Sequence, residues 1–321
     1  MCMSRINFAI IGPGKISHRF VLGVKHSLHA HIIAVGARDD QKAVAYANQY
    51  DIVHAGSIED VLRLPEVDCV YISTPPASHK QLILQSLAAG KHVICEKPML
   101  YHVEDVEEVF AFAKEKGLFL MEGQKGLFLP TIAKMKEWIE QGVLGKVQYI
   151  EASYSYRFVS SLDHWVFDPA IGGGGSFDVG GYPLSLVLSL IKKPVVDVHR
   201  NQVSMSTGVD GFASLRLQFE GGCIANIQAG IDLPMKNTGR IYGTEGYIFI
   251  DDFWKTNTVT YHRYDGTSET FTIEQPSEFT YYIDHSCECI KKGLLESPIH
   301  PMSSHRLFTE LLNQSPAISS T

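Results

Sequence analysis

The chain predicts an α/β protein: a doubly wound N-terminal domain followed by an α+β domain with a large, mainly antiparallel open sheet. Three observations carry this expectation. Over residues 1–122, short and nearly continuous apolar runs alternate with amphipathic stretches, the pattern of parallel strands covered on both faces. Beyond that stretch, strands follow one another without helices between them and alternate apolar with polar residues, as half-buried antiparallel strands do. Finally, 321 residues exceed what one core usually fills, so two domains are expected, 1–122 and 123–321, with the boundary near Glu122–Gly126.

In the first domain, the runs at 6–11 (INFAII), 31–36 (HIIAVG), 67–72 (VDCVYI), 91–95 (KHVIC) and 118–121 (LFLM) are the expected strands. Helices are expected at 16–26, 40–49, 77–89 and 103–116. The last carries Val106, Val109, Phe110 and Ala113 at helical spacing, and Gly117 stands where a C-terminal cap belongs. In the second domain a helical segment at 128–140 precedes a strand at 146–156, a long loop and a helical segment at 175–191. Ala213, Leu215, Leu217 and Phe219 then alternate with Ser214, Arg216, Gln218 and Glu220. Gly221-Gly222 turns this strand into a second alternating run, Cys223, Ala225, Ile227, Ala229 and Ile231, a two-residue hairpin signal. Asp265-Gly266 links 257–264 to 267–273 in the same way, and helices at 278–293 and 304–313 close the chain. The tail after Gln314, SPAISST, offers little to pack.

Composition narrows the function. With 45% hydrophobic and 20% charged residues the chain is an ordinary globular one, and it has no apolar run of about 18 residues to span a membrane. A net charge of −7 without a Lys/Arg cluster argues against nucleic acid or an anionic membrane as partner. The N-terminus leads straight into an apolar strand and lacks a signal-peptide layout. The six cysteines are scattered, and Cys287 and Cys289 form a C-x-C pair without a second pair at metal spacing. Reduced, structural thiols in a cytoplasmic protein are expected, with no metal site.

The first strand runs into Gly12-Pro-Gly14-Lys-Ile-Ser17 and then a helix. A tight glycine turn there aims backbone N–H groups and the positive end of the helix dipole at a pyrophosphate, the dinucleotide-binding arrangement of a Rossmann domain. Gly12, Gly14, Lys15 and Ile16 are the candidate contacts, and Ser17 is small enough to let helix and strand approach. Selectivity between nicotinamide cofactors is written about 20 residues further on. There the strand ends Val35-Gly-Ala37-Arg38-Asp39. A guanidinium suits a 2′-phosphate, so Ala37 and Arg38 point to NADP, while the adjacent Asp39 keeps NAD possible as a ribose acceptor. The next strand to reach this edge ends Ile72-Ser73-Thr74-Pro75-Pro76, followed by His79. Ser73, Thr74, Pro75 and His79 are candidate cofactor contacts, with His79 alternatively a helix-start residue facing water.

The run HVICEKP, 92–98, turns ionic at Glu96-Lys97-Pro98 on the same sheet edge. A lysine desolvated beside a cationic nicotinamide ring can exchange a proton with a substrate hydroxyl. The proline, which can take a cis bond, fixes the backbone that aims it. On the tripeptide alone, a surface lysine closing a loop is the other reading. In the second domain Asp178 and Tyr182 stand four apart in a helical segment, and Arg157, His164 and Trp165 occupy the long loop region where binding groups gather.

Taken together, GPGKIS, ISTPPASH, AAGKHVICEKP, GGGSFDVGGYP (173–183) and GTEG (243–246) resemble the glucose–fructose oxidoreductase/inositol dehydrogenase (Gfo/Idh/MocA) family over nearly the whole chain. TGVDGFASLRLQF and KKGLLESPIHP look most like its dimeric trans-dihydrodiol dehydrogenase branch. The resemblance implies that Glu96 and Lys97 lie beside the cofactor and that Lys97 is catalytic. It also implies a second domain that supplies the substrate wall and a homodimer interface on its open sheet face. The family's aspartate followed four residues later by a histidine is here Asp178 and Tyr182, the tyrosine being shared with the two branches named. A phenol, with a pKa near ~10, needs a neighbouring cation to act near neutrality, which Lys97 can supply. The expected activity is hydride transfer between a nicotinamide cofactor and a secondary alcohol or carbonyl of a sugar, polyol or cyclic diol. Arg157, His164 and Trp165 would bind that substrate, and Asp178 would orient its hydroxyls. The alternative is a non-catalytic dinucleotide-binding sensor of the same fold.

Overall fold

The computed structural model of the chain describes residues 5–313, so Cys2 and the SPAISST tail lie outside the described residues. Two compact units divide the chain: one holds the residues up to Lys125 together with Pro276–Arg306, the other Gly126–Gln275 and the chain from Leu307.

In the first unit the chain runs β1 (Ile6–Ile11), α1 (Lys15–Lys25), β2 (Ala30–Ala37), α2 (Asp40–Tyr50), β3 (His54–Ser57), α3 (Ile58–Arg63), β4 (Cys69–Ile72), α4 (His79–Ala88), β5 (His92–Cys95), α5 (Val103–Lys116) and β6 (Leu120–Glu122). The six strands are parallel and ordered β3-β2-β1-β4-β5-β6, so the order reverses between β1 and β4, the place where doubly wound sheets bind ligands. Both faces are buried. Ile11, Val70, Ile72 and Val93 pack with Leu82, Ile83, Val106 and Val109 in one core cluster. Phe8, Phe20 and Tyr71 form the other side, with the Phe20 and Tyr71 rings stacked 3.7 Å apart. The expected stripe of α5 is buried at all four positions, and Gly117 caps it at φ +67°. β3 and α3 escaped the sequence reading because HAGS offers no apolar run and is only half buried at the sheet edge.

The second unit contains α6 (Pro130–Glu140), β7 (Val147–Ser155), the short α7 (Gly175–Asp178), α8 (Gly181–Leu190), β8 (Val195–Ser204), β9 (Asp210–Phe219), β10 (Ile224–Gly230), β11 (Thr238–Gly243), β12 (Gly246–Asp251), β13 (Thr258–Arg263) and β14 (Ser268–Thr272). Eight strands lie in the order β14-β13-β12-β11-β7-β10-β9-β8, and β7 with β10 is the parallel neighbour pair in an otherwise antiparallel sheet. Both hairpins are as expected. β9 pairs with β10 across Gly221 and Gly222, at φ +88° and +89°, and β13 pairs with β14 across Gly266, at φ +92°. One sheet face is buried through Ile150, Leu215, Leu217, Ile227, Ile241 and Ile248. The other carries a ladder of rings, Tyr149, Tyr242, Tyr247 and His262.

The chain then supplies α9 (Phe279–Lys291) and α10 (Met302–Leu312). A single cut near Glu122 therefore does not describe the units, since Pro276–Arg306 packs with the first. The physical reason is a helix–helix contact. A Cβ on Gly23 of α1 would lie 2.6 Å from Phe279 Cβ, so the glycine lets α9 seat its buried Phe279 and Ile283 directly on α1. Among the described residues, no helix is long and apolar enough to cross a membrane.

Candidate active site

The carboxyl ends of β1, β4 and β5 are neighbours in the first unit's sheet and present the expected residues along one edge. After β1, Gly12 adopts φ +89°, and a Cβ there would fall 2.6 Å from Thr74 Cγ2. No other residue fits that turn. Its closure is reinforced by Ser73, whose hydroxyl donates to the Gly12 carbonyl (2.8 Å), and by Ser17, whose hydroxyl donates to the Gly14 carbonyl (2.7 Å). Gly14 and Lys15 are exposed, Ile16 is half-buried, and no side chain caps α1 or places an acid in its first turn. Among the described residues, the start of this helix thus has neither a capping side chain nor a first-turn acid to compete with a pyrophosphate.

At the end of β2, Ala37 is buried and Arg38 exposed. Asp39 caps α2, its Oδ1 accepting from the N–H groups of Gln41 (3.0 Å) and Lys42 (3.4 Å). That engagement ties one carboxylate oxygen to the start of α2, while Asp39 and the Arg38 guanidinium both stay exposed at the strand end.

His79 does not face water. It is 1% exposed, with Nδ1 3.1 Å from the Pro98 carbonyl and 3.2 Å from that of Met99, and Nε2 2.9 Å from the Thr74 carbonyl. Burial pushes its pKa down, against those carbonyl oxygens, which favour the protonated ring. With both nitrogens committed to backbone, His79 ties the loop after β4 to the loop after β5 rather than offering a ring atom to a ligand.

After β5, Glu96 is buried and accepts from the Tyr71 hydroxyl at 2.6 Å. Burial raises its pKa, opposed by the Tyr71 hydrogen bond and by Lys97 and Lys125. Lys97 is half-buried, and its bond to Pro98 is cis. Behind this loop Lys125 is buried 3.3 Å from Glu278, which also pairs with Arg19. Glu96 is thus a buried acceptor beneath the lysine loop, its near oxygen tied to Tyr71.

In the second unit, the expected continuous helix over 175–191 is broken. Asp178 ends α7, Val179 leaves helical geometry at φ −124°, and α8 begins at Gly181. Pro183 lacks the N–H that would bond back to Val179, whose carbonyl accepts instead from Tyr182 (3.1 Å), while the Gly180 N–H bonds five residues back to Gly175. Asp178 and Tyr182 therefore flank a break and do not share one helix face. Asp178 is buried and accepts from Tyr156 at 2.7 Å. Two residues earlier, Ser176 donates through both N–H and hydroxyl to buried Asp210, each at 2.8 Å, and Arg200 lies 3.6 Å from Asp210, which anchors α7. Tyr182 is 8% exposed, its ring 5.2 Å from that of Tyr154, which stacks on Trp254 at 4.0 Å.

Of the loop residues, His164 and Trp165 come toward Asp178 through a run of rings: His164 lies 4.8 Å from Phe158, and Phe158 6.0 Å from Tyr156. Trp165 packs on the small cluster of Val166, Phe167, Val209 and Ile231. Arg157 is not gathered with them. It alternates with Tyr156 and Phe158 along an extended segment, is exposed, and stands 3.9 Å from Asp232. Tyr154, Tyr156, Asp210 and Trp254 were not singled out from the sequence; aromatics at 154 and 156 share a strand face, the signal that was present for two of them.

A family model described as an oxidoreductase family with an NAD-binding Rossmann fold matches residues 6–124, and one for the GFO/IDH/MocA C-terminal domain matches 132–249. The chain is similar to the trans-1,2-dihydrobenzene-1,2-diol dehydrogenases of Mus musculus and Sus scrofa, each 32% identical, covering 96% of this chain and 95% of theirs. Among solved structures it is similar to an aldose-aldose oxidoreductase from Caulobacter crescentus complexed with glycerol, with TM-score 0.87 and 25% identity over 96% of both chains. A 3-ketoreductase from Actinomadura kijaniata, in complex with NADP and TDP-benzene, shares the fold at TM-score 0.84 and 22% identity, over 97% of this chain and 96% of that one.

Proposed function

Because the chain belongs to the Gfo/Idh/MocA oxidoreductase family, with an NAD-binding Rossmann fold at its N-terminus, we propose that it interconverts a secondary alcohol and its carbonyl on a sugar, polyol or cyclic diol, with NADP in preference to NAD. The observation that carries this reading is the Gly12–Gly14 turn, closed on Thr74 and open at the uncapped start of α1, on the sheet edge where β5 delivers Lys97. The substrate class follows the relatives, which by name act on a dihydrobenzene diol and on aldoses.

The helix start at Gly14, Lys15 and Ile16 holds the dinucleotide's pyrophosphate through the N–H groups of Lys15 and Ile16, the Gly14 N–H being bonded to the Gly12 carbonyl (2.8 Å), and Arg38 binds the 2′-phosphate, a preference that the helix-capping engagement of Asp39 supports. Ala37, Ser73, Thr74 and Pro75 line the same edge. A bound nicotinamide supplies the acceptor or donor of hydride. Lys97 moves the hydroxyl proton, Tyr182 serves as its partner or as the direct acid, and Asp178, held by Tyr156, orients the substrate's hydroxyls. His79 and Glu96 act as positioning residues for the Lys97 loop. His164 and Trp165 are the loop's substrate contacts, and Arg157 is a weaker candidate because of its exposure. We further propose a homodimer through the open face of the eight-stranded sheet, where Tyr242 and Phe249 are exposed, and a cytoplasmic location, which the five free, buried cysteines among the described residues support.

The test is turnover of a panel of aldoses, ketoses and diols with NADPH and with NADH, alongside fluorescence titration of both cofactors. Lys97→Ala is expected to lower kcat by roughly 10²–10⁴ while NADPH still binds. Undiminished turnover in the variant defeats the assignment of Lys97, and failure of the wild type to bind either cofactor defeats the reading as a whole.

A further inference from the structure

Glu122, at the end of β6, meets two histidines that the chain brings back from far downstream: His300, just before α10, and His305, in its first turn. We propose that these three residues form a binding site for a divalent transition-metal ion, zinc being the representative. Glu122 Oε2 lies 3.0 Å from His300 Nε2 and 3.2 Å from His305 Nδ1, and the three donor atoms all fall within 4.8 Å of one another. Tetrahedral zinc, with bonds of about 2.0–2.1 Å, separates neighbouring donors by about 3.3 Å, so the carboxylate-to-imidazole spacings need little adjustment to accept it.

Donor chemistry selects the class of ion. Two imidazoles and one carboxylate suit zinc and its borderline neighbours, whereas calcium and magnesium favour oxygen ligands in larger number. The surroundings favour a cation as well. The side chains of Glu122, His300 and His305 are 1%, 4% and 1% exposed, and a carboxylate so far from water needs a positive partner. A metal ion meets that need without requiring a proton on either ring.

The second oxygen of Glu122 is already oriented. Its Oε1 accepts from the N–H of Met99 at 2.9 Å, the outer hydrogen bond that fixes a metal-binding carboxylate. Met99 follows Lys97-Pro98, so the ion would also brace the loop that carries the lysine. One tetrahedral position remains for a water or a backbone carbonyl. Since the donors are enclosed, the ion is taken up as the chain folds. The competing arrangement is an imidazolium–carboxylate network that holds no ion.

The test refolds the full chain from denaturant with cobalt(II), with zinc(II), or with a chelator, and needs no turnover assay. Expected are about one equivalent of bound metal, visible cobalt d–d bands of tetrahedral intensity, and a Tm several degrees above the chelator-treated protein. His300→Ala and His305→Ala should each lose the bands and the rise in Tm. A wild-type chain that refolds without cobalt bands and melts identically with zinc and with chelator overturns the proposal, as do variants that keep the bands. Should a variant fail to fold, the wild-type stoichiometry and spectrum decide the matter alone.

Discussion

Two carboxylates at the ends of neighbouring strands, Glu96 after β5 and Glu122 at the end of β6, are both buried, at 7% and 1% exposure, yet their acidities move apart. Burial pushes each upward. For Glu96 it prevails over the Tyr71 hydroxyl and the attraction of Lys97 and Lys125, so the carboxyl stays above its usual range. For Glu122, burial is overcome by His305 and His300, which hold it well below the usual carboxylate range. The difference teaches that depth alone does not set acidity. A neutral phenol and more distant cations compensate a desolvated charge less than two nitrogens directly against one carboxylate oxygen.

The comparison breaks most visibly at Glu122. Glu122→Gln takes the charge from between two histidines, and the expected cost is about 3–5 kcal/mol in urea denaturation, the usual result of removing one partner from a buried ionic group. A loss no greater than a surface pair's would mean that the triad is not ionic.

Next in size is Tyr71→Phe, which strips Glu96 of its 2.6 Å donor and should cost about 1–3 kcal/mol. The pH dependence carries the sign. Because the folded-state pKa of Glu96 is raised, the folded protein holds that proton more tightly than the unfolded chain. Its contribution to stability is full below the unfolded carboxyl value and disappears as pH rises through the folded one. The Tyr71→Phe variant, lacking a donor to the ionised form, should therefore lose more stability at neutral than at acidic pH. Equal losses at both would assign the effect to packing against Phe20.

The smallest effect belongs to an exposed carboxylate. Asp39→Ala removes the cap of α2 and should cost about 1 kcal/mol by thermal denaturation, with no dependence on the Tyr71 or Glu122 substitutions, since the sites share no partner.

What could be read from the sequence was local. The Gly12–Gly14 turn, the stripe of α5 and the two glycine hairpins each depend on residues a few positions apart, and all four occur as expected. The break between Asp178 and Tyr182 was also local, yet Pro183 was read as part of a motif rather than as a residue without an N–H. Beyond reach were the contacts that close over long separations. Nothing near Glu122 announces His300, 178 positions away, and nothing near α1 announces that Phe279 will rest on Gly23. The alternative of His79 as a helix-start residue facing water fails for a related reason: one carbonyl meets the ring from its own loop, and two more arrive from the loop after β5, 19 and 20 positions away.

The seating of α9 on α1 also bears on how the protein is made. A ribosome releases β1 to β6 long before Phe279 emerges, so the nucleotide-binding layer waits through the synthesis of about 150 intervening residues with the Gly23 groove of α1 bare. Completion of the first unit is thus delayed until the second unit's sheet has been synthesised, and a chain interrupted before α9 would carry an unfinished half rather than an independent one.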